Sequence, residues 1–169
     1  DKVRDPRSRD SGNTTLHKTF NGGHITMSGS NSPASLASRP IRIVLADEID
    51  RYPVSAGSEG DPVSLARKRS ATFFNRKVVL TSTPTVKGAS RIETAFEGSD
   101  KRYFNVPCMD CEELQILKWG NVQWPEGRPD QAVYVCPSCG SAWDDPMRLR
   151  SIRRGQWIAS EPFAGIAGF

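Results

Sequence analysis

A chain of 169 residues with 37% hydrophobic content carries enough apolar side chain for one core and a small appendage, not for two full domains. Lys and Arg number 23 against 19 Asp and Glu, a net charge of +4, and this modest excess suits polyanionic partners without demanding one. No apolar run reaches the ~18 residues of a membrane-spanning helix, and the start Asp1-Lys2-Val3-Arg4-Asp5 has no signal-peptide pattern, so a soluble intracellular protein is expected.

Residues 1–22 are polar and rich in Arg, Asp, Ser, Asn and Gly, and they read as extended or loop-like. His24-Ile25-Thr26-Met27 is a short strand, and Ile41 to Ala46 a stronger one whose unbroken apolar run predicts burial on both faces, as in a parallel sheet covered by helices. Asp61 caps a helix opening at Pro62 and running through Leu65, Arg69 and Phe73. Lys77 to Thr81 has the β-branched content of a strand. Ser90-Arg91-Ile92-Glu93 is a capping-box pattern for a short helix to about Phe96, closed by Gly98. This alternation of strand and helix predicts part of a parallel α/β sheet. The composition then changes: Tyr103 to Val106 and Val133 to Val135 are strand-like runs, each leading into a Cys-x2-Cys. Asp145 is expected to cap a helix from Pro146 past Leu149 and Ile152, stopping near Gly155.

All four cysteines fall into two Cys-x2-Cys pairs, Cys108/Cys111 and Cys136/Cys139. Tetrahedral zinc takes four thiolates, and two turns each offering a Cys pair supply them with little strain. Two disulfides or a redox pair are the alternatives, disfavoured without secretory features. Cys136-Pro137-Ser138-Cys139-Gly140 looks like a zinc-ribbon knuckle, with Gly after the second Cys; Cys108-Met109-Asp110-Cys111-Glu112 lacks that Gly. A complete thiolate set leaves no open position for water, so the zinc is expected to be structural. Trp119, Trp124, Trp143 and Trp157 are expected to pack the module's thin core.

Ile43-Val44-Leu45-Ala46-Asp47-Glu48 has the form of a Walker B segment, an apolar strand delivering two carboxylates at its end. In that chemistry the first carboxylate holds hydrated Mg²⁺ and the second polarises the attacking water. Strands also end in acidic residues simply to meet solvent. The second strand ends in Thr81-Ser82-Thr83, hydroxyls suited to sensing a γ-phosphate, or equally a plain Ser/Thr-rich turn before Pro84. Arg39, Arg51, Arg67, Lys68 and Arg69 can face nucleotide or DNA, although a solvated helix face is the better account of Arg67 and Lys68.

The order Phe20-x-Gly22-Gly23, Ser32-Pro33-x-x-Leu36-x-Ser38-Arg39, Asp47-Glu48-Ile49-Asp50-Arg51-Tyr52, Arg69, Lys77 to Pro84, Ser90-Arg91-Ile92, Val106-Pro107-Cys108 and the second Cys pair resembles the phage terminase large subunit of the lambda GpA type. The resemblance implies a P-loop NTPase of the additional-strand type carrying a zinc ribbon. It implies an ATP-driven motor that moves double-stranded DNA into a procapsid. Asp47 would then be the Mg²⁺-associated and ATP-site carboxylate, Glu48 the catalytic carboxylate, and Thr81, Ser82 and Thr83 the coupling segment. Implied partners are double-stranded DNA, the terminase small subunit, the portal and procapsid, and further copies of the same subunit. The implied setting is the bacterial host cytoplasm, with a phage or prophage as source.

No Gly-x-x-x-x-Gly-Lys-Ser/Thr loop occurs in these residues. The family carries that loop upstream, so the chain reads as the central piece of a longer subunit, inactive as an ATPase alone. Its expected organisation is a partial P-loop core over 1–100, a zinc ribbon over 101–145, and a helix returning to the core over 146–169. The remaining alternatives are a non-catalytic zinc-ribbon module that binds DNA or protein, and a superfamily-2 helicase fragment, which also uses Asp-Glu and Ser-x-Thr segments.

Overall fold

Asn21-Gly22 folds the chain back on itself. In the computed structural model, which describes residues 12–169, β1 (His17–Phe20) pairs antiparallel with β2 (Gly23–Thr26), Phe20 opposite Gly23 across a two-residue turn. Gly22 takes φ +90°, a conformation open to glycine and costly to residues with a Cβ. Part of the stretch read as loop-like is thus a hairpin strand; residues 1–11 lie outside the described residues. The chain forms two units that part between Ile92 and Glu93.

In the first unit, α1 (Pro33–Ala37) leads to β3 (Ile43–Ala46), α2 (Pro62–Arg69) and β4 (Lys77–Leu80). The strands β3 and β4 run parallel, Ile43 opposite Lys77 and Ala46 opposite Leu80, with α2 on the crossover between them. Asp61 caps α2 as expected, accepting from Ser64 N at 2.8 Å ahead of Pro62. The helix stops at Arg69 rather than at Phe73, because the chain enters successive turns in which Phe73 N bonds Ser70 O and Arg76 N bonds Phe73 O. Ala46, Ile49 and Val63 make the small core, with Tyr52, Leu80 and Ile92 against it. Burial of β3 on both faces does not hold: Leu45 is 75% exposed and Ile43 44%. Side chains alternate along a strand, and this core covers one face of the pair only.

The helix α3 (Arg91–Glu97) spans the boundary in sequence. Beyond it, β5 (Arg102–Pro107) is the centre of a sheet with β6 (Leu114–Gln115) and β10 (Gln156–Ala159), all antiparallel. A second sheet joins β7 (Val122–Gln123), β8 (Val133–Val135) and β9 (Ala142–Trp143). The helix α4 (Asp145–Arg153) follows, capped one residue earlier than expected: Asp144 accepts from Met147 N at 2.8 Å. The core of this unit is Val106, Cys108, Tyr134, Cys136 and Trp143. Trp143 alone of the four tryptophans is buried there; Trp119, at 78% exposure, Trp124 and Trp157 stand open. A module nucleated by paired thiols needs fewer large side chains at its centre than the sequence offered. Among the described residues no helix is long and apolar enough to cross a membrane.

Candidate functional site

The acidic residues that follow β3 and the hydroxyls that follow β4 meet because the two strands are parallel neighbours ending in register. Thr81 N donates to Ala46 O at 2.9 Å and Ile49 N to Thr81 O at 3.2 Å, so the two exits stay hydrogen-bonded beyond the strands. Asp47 Oδ1 accepts from Thr81 Oγ1 at 2.6 Å and from Glu48 N at 3.0 Å. Glu48 sits in the left-handed region at φ 54°, which costs a non-glycine residue about 1 kcal/mol. Its carboxylate is held by Arg51 Nε at 3.0 Å. Ser82 Oγ accepts from Asp50 N at 3.1 Å, and Thr83 enters the set through its carbonyl oxygen, which accepts from Ser82 Oγ at 3.3 Å. Of the three hydroxyl residues, only Thr81 donates its hydroxyl to one of the two carboxylates.

Asp50 and Arg91 were not singled out from sequence, yet they bind this turn to its surroundings. The Asp50 carboxylate accepts from Ile92 N at 2.9 Å and from Thr85 N at 3.0 Å, and it also takes the Ser90 hydroxyl. Burial pushes its pKa up, but these donors outweigh burial and hold it at about 2. In return, Arg91 Nη1 donates to Tyr52 O at 2.8 Å and Ile49 O at 3.1 Å, and Nη2 to Pro53 O at 2.8 Å. The only sequence signal for this was the density of charge in Asp47-Glu48-Ile49-Asp50-Arg51.

In the second unit the four cysteine sulfurs lie within 4.8 Å of one another. The Sγ atoms of Cys108 and Cys139 are 3.7 Å apart and those of Cys111 and Cys136 3.9 Å. Four sulfurs at ~2.3 Å from a tetrahedral centre lie about 3.8 Å apart, so the set fits zinc; all four cysteines are free thiols, not disulfides. The two knuckles are alike: Cys108 N bonds Glu113 O and Glu112 N bonds Cys108 O, while Cys136 N bonds Ser141 O and Gly140 N bonds Cys136 O. Each needs a left-handed residue after its second Cys. Gly140 provides it at φ 76°, and Glu112 is forced into it at φ 60° with its carboxylate gripped by Arg154 Nη2 at 2.7 Å.

A buried relay supports one ligand. Asn121 Nδ2 donates to Tyr134 Oη at 3.1 Å, Tyr134 Oη to Gln115 Oε1 at 3.2 Å, and Gln115 Nε2 to Cys136 Sγ at 3.4 Å. Burial raises the Cys136 pKa, but N–H groups of Cys139 and Ser138 together with the Gln115 amide hold it down to about 6. Cys139 also receives a backbone N–H, yet its thiol neighbours and burial push it up to about 12. Four thiols this close cannot all ionise unless a cation sits among them.

Residues 1–157 match the model of the phage terminase large subunit gpA, ATPase domain, and the chain belongs to that family. It is 29% identical over 154 residues to the terminase large subunit of Enterobacteria phage P21, which covers 86% of this chain and 24% of that protein. It is likewise 29% identical over 132 residues to the terminase large subunit of Escherichia phage lambda, covering 73% and 21%. The chain therefore spans about a quarter of the length of these relatives. No solved structure matches it.

Proposed function

We propose that this chain carries the acidic turn and coupling segment of a viral DNA-packaging ATPase, a terminase large subunit that moves double-stranded DNA into a procapsid by ATP hydrolysis. The observation that carries the reading is the bond from Thr81 to Asp47, which joins the end of one parallel strand to the first carboxylate of its neighbour. Mg²⁺ and ATP, when bound to the whole subunit, would supply the electrophilic phosphorus and the positive charge that offsets the phosphate oxygens. Asp47, exposed at the strand end, would hold the hydrated cation. Glu48, released from Arg51, would orient and deprotonate water. Thr81 loses or keeps its acceptor according to what Asp47 binds, and its backbone bonds pass that state to the turn at Ile49. The ribbon holds zinc for structure, since all four ligand positions are filled by sulfur.

The partners of this reading are duplex DNA, the small subunit, the portal and further copies of the large subunit, in the bacterial cytoplasm. Family membership favours it over a helicase fragment or a non-catalytic ribbon. The test is Glu48→Gln in the full-length subunit. ATP turnover should fall by about a thousandfold or more while nucleotide binding stays within a few-fold. Turnover at the wild-type rate would remove Glu48 from the chemistry.

A further inference from the structure

Charge in the first unit is sorted along the strands. Between residues 12 and 92 every carboxylate falls in the run 47–61, at or after the C-terminal end of β3; none occurs in 12–46 or 62–92. At the opposite end, three segments meet. Ile41 N donates to Arg69 O at 3.1 Å, placing the approach to β3 against the last residue of α2, and Lys77 N donates to Arg42 O at 3.1 Å, placing the start of β4 beside it. The turns from Ser70 to Arg76 close the gap between α2 and β4. Arg42, Arg67, Lys68, Arg76 and Lys77 are all exposed along this rim. Among the described residues the ion pairs of the unit lie elsewhere, joining Arg51 to Glu48 and Arg91 to Asp61.

Arg67 and Lys68 alone would be the ordinary cations of a helix C-terminus. Arg42, Arg76 and Lys77 belong to other segments and answer to no helix dipole. Phe74, in the same connecting turn, is 97% exposed. Val54, at 88%, and Leu45, at 75%, are also open in this unit, so exposure alone does not mark Phe74; its place in the turn sets an apolar side chain beside the cations, which suits a partner offering anionic oxygens and apolar surface together. The second unit is not a rival by charge: it holds eight of the 23 basic residues against eleven of the 19 acidic ones, and Arg148 and Arg154 on and after α4 are paired with Asp145 and Glu112.

We propose that this rim, at the end of the parallel pair away from the acidic turn, docks duplex DNA: Arg42, Arg67, Lys68, Arg76 and Lys77 take backbone phosphates, and Phe74 packs on the sugars or base edges of a groove. The choice of duplex over other polyanions rests on the packaging reading; the location rests on the charge and exposure of these residues. Phosphate contacts release counterions, so log K falls with log salt by about 0.9 for each phosphate neutralised, whereas an apolar contact leaves the slope alone.

The test uses the 169-residue chain, without nucleotide, and a short fluorescent duplex of mixed sequence titrated at several salt concentrations. The pair Arg42→Gln with Lys77→Gln should reduce the salt slope by about 2 and weaken binding most at low salt. Phe74→Ala should weaken binding several-fold with the slope unchanged. Arg150→Gln with Arg153→Gln, on the exposed side of α4, should change neither. All these side chains are exposed, and an unchanged melting temperature verifies the fold of each variant. The proposal is overturned by a wild-type chain that does not bind the duplex at low salt. It is overturned equally if the rim variants keep the wild-type slope, if the α4 pair carries the effect, or if anionic phosphatidylserine vesicles bind in a rim-dependent way and the duplex does not. Nucleotide is absent throughout, so a negative result leaves Glu48 untouched, and a negative result for Glu48→Gln leaves the rim standing.

Discussion

Asp50 Oδ1 accepts a hydrogen bond from Ile92 N, 42 residues further along the chain, at 2.9 Å. The carboxylate thereby takes a free amide in the first turn of α3, the position a local N-cap side chain would ordinarily serve. Arg91, one residue earlier, returns three bonds to carbonyls of Ile49, Tyr52 and Pro53, so the acidic turn and the start of α3 hold each other.

This bond makes an acid-sensitive contribution to stability with a definite sign. Asp50 is held at about 2 from an ordinary 3.8, so its contribution is fully present above about pH 4 and is lost as pH falls towards 2. Asp50→Asn should lower the denaturation midpoint at pH 6, and the gap from wild type should close as the pH approaches 2. Chemical melts across that range measure it; a constant gap would mean that the charge on Asp50 contributes nothing.

The hydroxyl residues after β4 should separate in the full-length subunit. Thr81→Val removes the 2.6 Å donor to Asp47 and should cut DNA packaged per ATP hydrolysed by about tenfold, the effect of one bond of ~1.4 kcal/mol. Thr83→Val touches neither carboxylate and should package near the wild-type rate. Equal losses in both would return the segment to a structural turn.

Elemental analysis should find one zinc per chain, and chelation should unfold the module around Cys108 to Trp143. Gln115→Leu removes the amide donor to Cys136 Sγ and should weaken zinc binding by about ten- to a hundredfold in a chelator competition, with stoichiometry unchanged.

The two knuckles should answer differently to alanine. Gly140→Ala puts a Cβ on a residue at φ 76° and should cost about 1–2 kcal/mol in the zinc-loaded chain. Glu112→Ala changes no backbone preference, because Glu112 already bears a Cβ at φ 60°, and loses only an exposed pair with Arg154 worth about 0–1 kcal/mol. Guanidinium melts of the two variants give the comparison.

What could be read from the sequence was what local spacing encodes. The Cys pairs announce themselves because a knuckle is five residues of chain, and Asp61-Pro62 because a cap needs only its own first turn. Asn21-Gly22 is a local turn signal too, set among polar neighbours that suit a loop equally well. Asp144 and Asp145 compete for one cap, and spacing alone does not choose between them; the structure puts Pro146 second in α4 rather than first. The two-residue strands β6, β7 and β9 are too short to show a period. Asp50 with Arg91, and Gln115 with Cys136, were beyond reach for another reason: each joins segments far apart in sequence, and nothing in either segment names its partner. The apolar run of β3 was read as doubly covered because hydropathy reports that a side chain prefers cover, not that cover is there.

The sorting of charge along β3 and β4 has a kinetic consequence. Among residues 12–92 five exposed cations lie where the strands begin and all the carboxylates where they end, about 13 Å away at ~3.3 Å per residue, so a polyanion approaching these residues feels a torque as well as an attraction. Collisions are turned so that the rim leads and Asp47 and Glu48 trail, leaving the acidic turn clear of the long anion that would otherwise foul it. The bias extends roughly a Debye length, ~8 Å in physiological salt and ~30 Å at a tenth of that or less. Encounter rates with a polyanion should therefore rise as the salt is lowered.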